Sequence, residues 1–340
     1  GGGTDGQVLV MGYRHIPAGD KRSRATGHAM LMGSNGVVER DFYIGEPGTK
    51  IMAGQVLPDG HIILSGSTLN KEGREAGFVC KVSPRNKVVY FYTAVTGAVC
   101  RHFDVLGNRS ELLHAAFTDG KGGSSVVRLD ENGKPYFLTT LPDESYRIER
   151  MVSTADGDIY LVGQGEKAGG TVVKIRPEGD EVFNKPIVPA SADTRLDQLG
   201  VLPTGELLVG GHDSKNSYFA LLRSDGTVLI SSADRGEVSA IAQNIAGDHC
   251  VVSLYDRSAS RGKIIKLSKE GRKLYEKNTA ANYTNLRING NDDLLMGNSA
   301  TGRLSMLSAT GETLFDRFAV ENEPTAFSEV CLPMSGEAFF

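Results

Sequence analysis

One unit of four short strands recurs along this chain, and that recurrence limits the fold more than any other feature. The unit is clearest over residues 55–93, QVLPDGHIILSGSTLNKEGREAGFVCKVSPRNKVVYFYT. An apolar run, a Pro-Asp-Gly turn, a run closing on Gly66, a polar loop, a run over 77–82, a turn at Arg85-Asn86 and a last β-rich run make one antiparallel meander. Two series of turns carry it onward. The cleaner one runs Asn35-Gly36, Arg85-Asn86, Asn132-Gly133, Glu178-Gly179, Asp225-Gly226, Glu270-Gly271 and Thr310-Gly311, spaced 40 to 50 residues apart. An apolar residue stands four positions before each last turn residue: Met32, Val82, Leu129, Ile175, Leu222, Leu267 and Leu307. Turns of this kind supply the positive φ of a tight hairpin.

The other series is Asp5-Gly6, Asp59-Gly60, Arg109-Ser110, Asp156-Gly157, Thr204-Gly205, Ala246-Gly247, Gly290-Asn291 and Ser335-Gly336. Runs such as His61-Ile62-Ile63-Leu64 and Glu206-Leu207-Leu208-Val209 follow these turns, and no helical period competes with them. A four-strand period in the forties predicts an all-β, seven-bladed β-propeller of four-stranded antiparallel blades. The expected blades are 50–93, 97–140, 146–187, 194–232, 236–278 and 283–320, with a seventh from 1–45 and 326–340. In that seventh blade the N-terminal part offers a second, third and fourth strand and the C-terminal part a first, so the two ends close the ring and hide its edges. The whole chain, 1–340, reads as one domain.

Composition narrows the function classes. A net charge of -4 removes the chain-wide electrostatic case for nucleic acid. No apolar run reaches the roughly 18 residues that span a bilayer, so no transmembrane segment is expected. The chain starts Gly1-Gly2-Gly3, which suits both the glycine stretch after the lipidated Cys of a bacterial lipoprotein and a leftover of an added tag. Cys80, Cys100, Cys250 and Cys331 show neither CxxC nor zinc spacing, so no metal is expected and the four read as small buried apolar residues.

The units around Leu57-Pro58-Asp59-Gly60 with Gly66, and around Leu202-Pro203-Thr204-Gly205 with Gly210-Gly211, resemble bacterial β-propellers with delta-60-like or PQQ-like repeats. The resemblance covers nearly the whole chain but rests on turn chemistry. The chain has no Trp, so the tryptophan docking motif of quinoprotein dehydrogenases is missing and pyrroloquinoline quinone is not implied; no cofactor is expected. Trp-Asp pairs and sialidase boxes are missing too.

Within each unit two turns are short and uniform, while the second-to-third loops and the links between blades vary. Variable loops on a rigid scaffold are where binding residues collect. The longest such loop is expected over 13–28, with Arg14, His15, Arg22 and Arg24, which reads either as a solvated loop or as a basic anchor for an acidic partner, a glycan or lipid headgroups. His212 and Asp213 in one unit and Tyr255, Asp256 and Arg257 in the next occupy equivalent places and converge on the same mouth. Innermost strands add His102, Glu149, Arg150, Asp197, Asn285, Arg287 and Glu329, with Arg147 and Arg195 near the mouth. A catalytic carboxylate pair needs a separation of roughly 5 to 10 Å, and Glu149 with Asp197 is the candidate, subject to a strand phase that a one-residue slip would invert. Lys81, Arg128, Lys174 and Lys266 repeat at one third-strand position, where a long stem packs on the blade with its charge in water. The leading expectation is a non-enzymatic binding or scaffold propeller, bacterial and extracytoplasmic with a cytoplasmic place also open, that engages a protein or glycan through its loop face. The alternative is a hydrolase or lyase acting on a carbohydrate or lactone at the channel mouth.

Overall fold

The computed structural model describes residues 7–16, 24–33, 37–105, 113–119, 123–141, 146–165, 169–187, 193–298 and 300–318. Their strands fall in chain order into seven antiparallel sheets. The first holds β1 (Val8–Ile16), β2 (Arg24–Met32) and β3 (Val38–Ile44). The second holds β4 (Lys50–Val56), β5 (Ile62–Leu69), β6 (Glu75–Val82) and β7 (Val88–Thr96), and the third β8 (Ala98–Val105), β9 (Leu113–Asp119), β10 (Ser124–Leu129) and β11 (Pro135–Thr140). The fourth holds β12 (Arg147–Ser153), β13 (Ile159–Gly165), β14 (Gly169–Ile175) and β15 (Glu181–Pro186), the fifth β16 (Arg195–Val201), β17 (Leu207–His212), β18 (Asn216–Leu222) and β19 (Val228–Arg235). The sixth holds β20 (Glu237–Gln243), β21 (His249–Asp256), β22 (Arg261–Ser268) and β23 (Lys273–Thr279), and the last β24 (Asn285–Ile288), β25 (Leu294–Asn298), β26 (Arg303–Leu307) and β27 (Thr313–Phe318). The fold is a seven-bladed β-propeller. The closing strand expected from 326–340, Glu329 and Cys331 with it, lies outside the described residues, as do the turns at Asp5-Gly6, Asn35-Gly36, Arg109-Ser110 and Ser335-Gly336. Among the described residues no helix is long and apolar enough to cross a membrane.

Chain proximity divides the molecule into two compact units, residues 1–160 with 174–182 and residues 161–173 with 183–340. In the first unit, Leu9, Leu31, Phe42 and Ile44 of the first blade pack against Ile51, Ile62, Leu64 and Phe78 of the second. The second blade in turn sets Ile63, Val79 and Tyr90 against Cys100, Ala115 and Phe117 of the third. The second unit repeats this, with Leu208, Phe219 and Leu221 against Val238, Val252 and Leu254. Each side chain of this size withdrawn from water contributes roughly 1.5–3 kcal/mol. Middle strands are therefore buried on both faces, as in β5, where seven of eight residues are buried: the apolar Ile62, Ile63 and Leu64 and the small Ser65, Gly66, Ser67 and Thr68. Fourth strands such as β11 and β27 have no buried residue. Cys80, Cys100 and Cys250 are free thiols in this core, and burial first of all pushes the Cys100 and Cys250 thiols up to about 12.

The repeated hairpin between third and fourth strands has one geometry. A backbone bond closes it at Asn86→Ser83, Gly133→Asp130, Gly179→Arg176, Gly226→Arg223, Gly271→Ser268 and Gly311→Ser308, all 2.9–3.0 Å from N to O. Only the last turn residue has positive φ, for example 78° at Gly133 and 58° at Asn86. The ladder shifts by one residue just before it, as between Arg128 and Leu129. This is a type I turn with a glycine bulge. At the last blade's first turn the left-handed residue is Asp292, with φ 64°, two positions beyond the Gly290 expected from the sequence.

The periodic basic position corrects an expectation. Lys81 and Lys266 are only 6% and 5% exposed, so their charges are not in water. Lys266 Nζ donates to Ala309 O of the next blade at 3.2 Å, and Arg128 Nη1 to Pro177 O at 2.7 Å. Lys174 pairs with Asp158 at 2.6 Å and lies 5.1 Å from the Tyr160 ring centre. The stems pack as expected; the heads clasp carbonyls, carboxylates and rings because those groups lie within the stem's reach once blades stack face to face.

Candidate functional site

The loop ends of the fifth and sixth blades enclose a cleft of about 480 Å³. From the fifth blade come His212, at the end of β17, the loop 213–215, Asn216 at the start of β18 and the end of β19 at Arg235. Gly236 and Glu237 link the blades, and the sixth adds Tyr255, Asp256, Arg257 and Ser258. The link lies close because Gly236 N bonds Lys215 O at 3.2 Å, and Gly236, at φ 106°, presses against the Tyr255 carbonyl where a side chain has no room. His212, Asp213, Tyr255 and Arg257, chosen from sequence as equivalent positions, thus line one surface.

Each acid in the cleft is already engaged. Asp213 accepts the amides of Lys215 and Asn216 and the Tyr218 hydroxyl, all at 2.7 Å. Desolvation works to raise its pKa, but these bonds outweigh it and hold the carboxyl at about 2. Asp256 accepts Ser258 Oγ at 2.6 Å and Ser258 N at 2.9 Å, and the hydroxyl is the main cause of its lowered pKa. Glu237 receives Arg257 through Nε at 3.1 Å and Nη2 at 2.9 Å. The cations are less occupied. Lys215 and Arg235 are exposed, and among the described residues neither side chain makes a hydrogen bond or ion pair; Arg235 acts on Asp256 only through space. Lys215 and Arg235 are thus the two cations of the cleft whose charge no side chain of the described residues meets directly, and they could receive an anionic group. Lys215, Arg235 and Glu237 were not singled out from sequence. The charged link Asp234-Arg235-Gly236-Glu237, with its glycine, was the available signal.

The remaining candidates disperse. The span 13–28, expected as a loop, is strand through Ile16 and again from Arg24, with Arg14 opposite Thr26 and His15 opposite Ala25. Ladder bonds join backbones whatever the side chains, so a polar segment can carry on the hairpin; residues 17–23 lie outside the described residues. Arg22 lies outside the described residues, and Arg24 is the first residue of β2. His28 bonds Asp41 at 2.5 Å and stacks on Tyr43.

On the first strands, Glu149 is buried and pairs with Arg147 at 2.9 Å, while exposed Arg150 donates to the Glu149 carbonyl. Asp197 lies 3.7 Å from His212, and Arg195 stands opposite His212 in the ladder. Glu149 belongs to the first unit and Asp197 to the second, each with its cation or histidine inside its own unit. Burial, then Arg150 and Arg101, depress the His102 pKa to about 4. Asn285 bonds Thr284, and Arg287 donates to the Leu286 carbonyl. The strand phase left open by the sequence is set by a bulge, which skips one residue at Met52, Arg101, Asp197 and Ser239 in β4, β8, β16 and β20. A bulge of this kind re-aims every side chain that follows.

No family model matches the sequence, and no curated protein matches it. Solved structures do. Sqt1 of Chaetomium thermophilum is 15% identical with a TM-score of 0.61, over 92% of this chain and 83% of that one. A chain of the mitotic checkpoint complex is 11% identical at 0.57, over 93% and 85%. A functionally unknown protein of Desulfotomaculum acetoxidans is 12% identical at 0.55, over 93% and 97%. These likenesses show the fold alone.

Proposed function

We propose that this chain is a non-enzymatic, protein-binding propeller that docks an acidic segment of a partner in the cleft between its fifth and sixth blades. One observation carries the reading. Lys215 and Arg235 stand at the cleft with exposed side chains that make no hydrogen bond or ion pair among the described residues, while every neighbouring carboxylate is engaged. An arriving carboxylate gains two charge-assisted contacts and displaces no existing pair. Arg257, held by Glu237, and Tyr255 supply the arginine and aromatic contacts that anchor interfaces. The fold of one chain of the mitotic checkpoint complex, an assembly of proteins, is compatible with a docking role.

The test is fluorescence anisotropy with a labelled Glu/Asp-rich peptide, its Lys-rich counterpart and an oligomer of uronic acid. The acidic peptide binds, more weakly as salt rises, and Lys215→Glu/Arg235→Glu lowers affinity at least about tenfold, which is 1.4 kcal/mol. The thermal midpoint of that variant falls only slightly, because neither side chain has a hydrogen bond or ion pair to lose and the added repulsion with the cleft carboxylates is solvent-screened. Equal binding of both peptides sinks the reading. Preference for the uronate oligomer redirects it to a glycan partner.

A further inference from the structure

Among the described residues seven outer strands end their sheets with a free edge, and six of them carry features that discourage pairing. β3 has Glu39, Arg40 and Asp41; β15, β19, β23 and β27 each contain charged residues; β11 starts on Pro135. Charges and proline on an edge keep other strands from adding to it. β7 is the exception. Its nine residues, VVYFYTAVT, make it the longest of the seven, and they include neither a charge nor a proline. It ends the second sheet, and among the described residues no strand pairs with its outer side. Val88 and Val89 are 51% and 45% exposed there.

A groove of about 670 Å³ runs beside this edge, lined by Leu69, Val88, Phe91 and Thr93 and rimmed by Glu46, Lys71 and Glu72. We propose that β7 pairs antiparallel with β7 of a second copy of this chain, joining two second blades into one eight-stranded sheet across a two-fold axis. Charge selects this occupant. In a two-fold pairing each residue meets a residue of the same strand, so a strand with any charge risks meeting its like; in β7 every register sets only neutral, β-forming side chains opposite one another.

The experiment is light scattering of the full chain over a dilution series, together with amide hydrogen exchange at both ends of that series. The wild type is expected to be dimeric at high concentration, with β7 amides protected there and exposed on dilution. Val89→Lys raises the dimer dissociation constant at least about tenfold, whereas Leu314→Lys, at a somewhat more exposed position on β27, leaves it alone. Thr93→Lys serves if circular dichroism shows Val89→Lys unfolded. A wild type that stays monomeric throughout overturns the proposal, including one that binds an unrelated strand. So does a dimer that survives both β7 variants, or one whose β7 amides exchange freely. The acidic-peptide assay reads a different blade pair, so the two proposals fail separately.

Discussion

His114 sits on β9 with no exposed surface, its Nδ1 bonded to Ser153 Oγ at 2.8 Å. Burial, then the charge of Arg128, lower its pKa to about 3. The unfolded chain, at the ordinary histidine value near 6.5, therefore takes up this proton long before the folded one does. The stabilisation is complete above about pH 6.5 and is lost progressively as pH falls toward 3, at up to about 1.4 kcal/mol per unit. Urea midpoints at pH 7 and pH 4 should differ by a few kcal/mol equivalent, and His114→Gln, though less stable at pH 7, should show a smaller drop between them. An unchanged drop would place the acid sensitivity elsewhere. The sequence revealed little of this. His114 has no repeat partner and no motif, and its burial depends on which face β9 turns inward. Likewise the first-strand candidates were unreadable at this scale, since a one-residue bulge at Asp197 or Arg101 is invisible in a run of β-forming residues. His212, Asp213, Tyr255 and Arg257 were readable because equivalent positions in consecutive repeats must lie side by side.

At the scale of the element, the hairpin glycine has a second task beyond its turn. A Cβ at Gly133 would lie 2.5 Å from the Tyr90 ring of the preceding blade, and one at Gly179 would lie 2.8 Å from Phe137. Phe183 in the same way meets Gly226, and Tyr275 meets Gly311. At these four junctions a ring of one blade seats on the next blade's turn, whereas Gly271 meets Ile230, so the glycine fixes the hairpin and the stacking together. Gly205 isolates the first effect, with φ 97° but its nearest neighbour 3.9 Å away. Gly205→Ala should cost about 1–2 kcal/mol for the left-handed backbone. Gly133→Ala should cost about 1–3 kcal/mol more, because the ring must leave its rotamer or its seat. Chemical unfolding of both variants checks the order, and equal losses would show that the ring yields freely. Turn chemistry was legible since it is local; the ring beneath it was not, because it comes from a strand some 40 residues earlier.

Across the whole molecule, seven repeats were countable from turns alone, yet the proposed binding cleft belongs to no single repeat. It forms where the loop of one blade, the link and the loop of the next meet, and only the stacking of blades brings Lys215, Arg235 and Arg257 to one surface. Arrays in which each unit touches only its neighbours have stabilities that sum over units and interfaces. Arg40 and Arg128 test whether that holds here. Arg40 of the first blade donates to Gly60 O at 2.8 Å and Ser83 O at 2.7 Å of the second, and Arg128 of the third to Pro177 O of the fourth. Replacing either by Met keeps the stem but strands the carbonyls it served, at about 1–3 kcal/mol each. The two clasps share no partner and serve different interfaces of the first unit. In the Arg40→Met/Arg128→Met protein the losses should add to within about 0.5 kcal/mol. Urea titration of the two single variants and the double decides it. A double variant less stable than the sum would mean that strain at one interface reaches the other through the second blade, and the molecule would then have to be treated as more cooperative than a chain of neighbours.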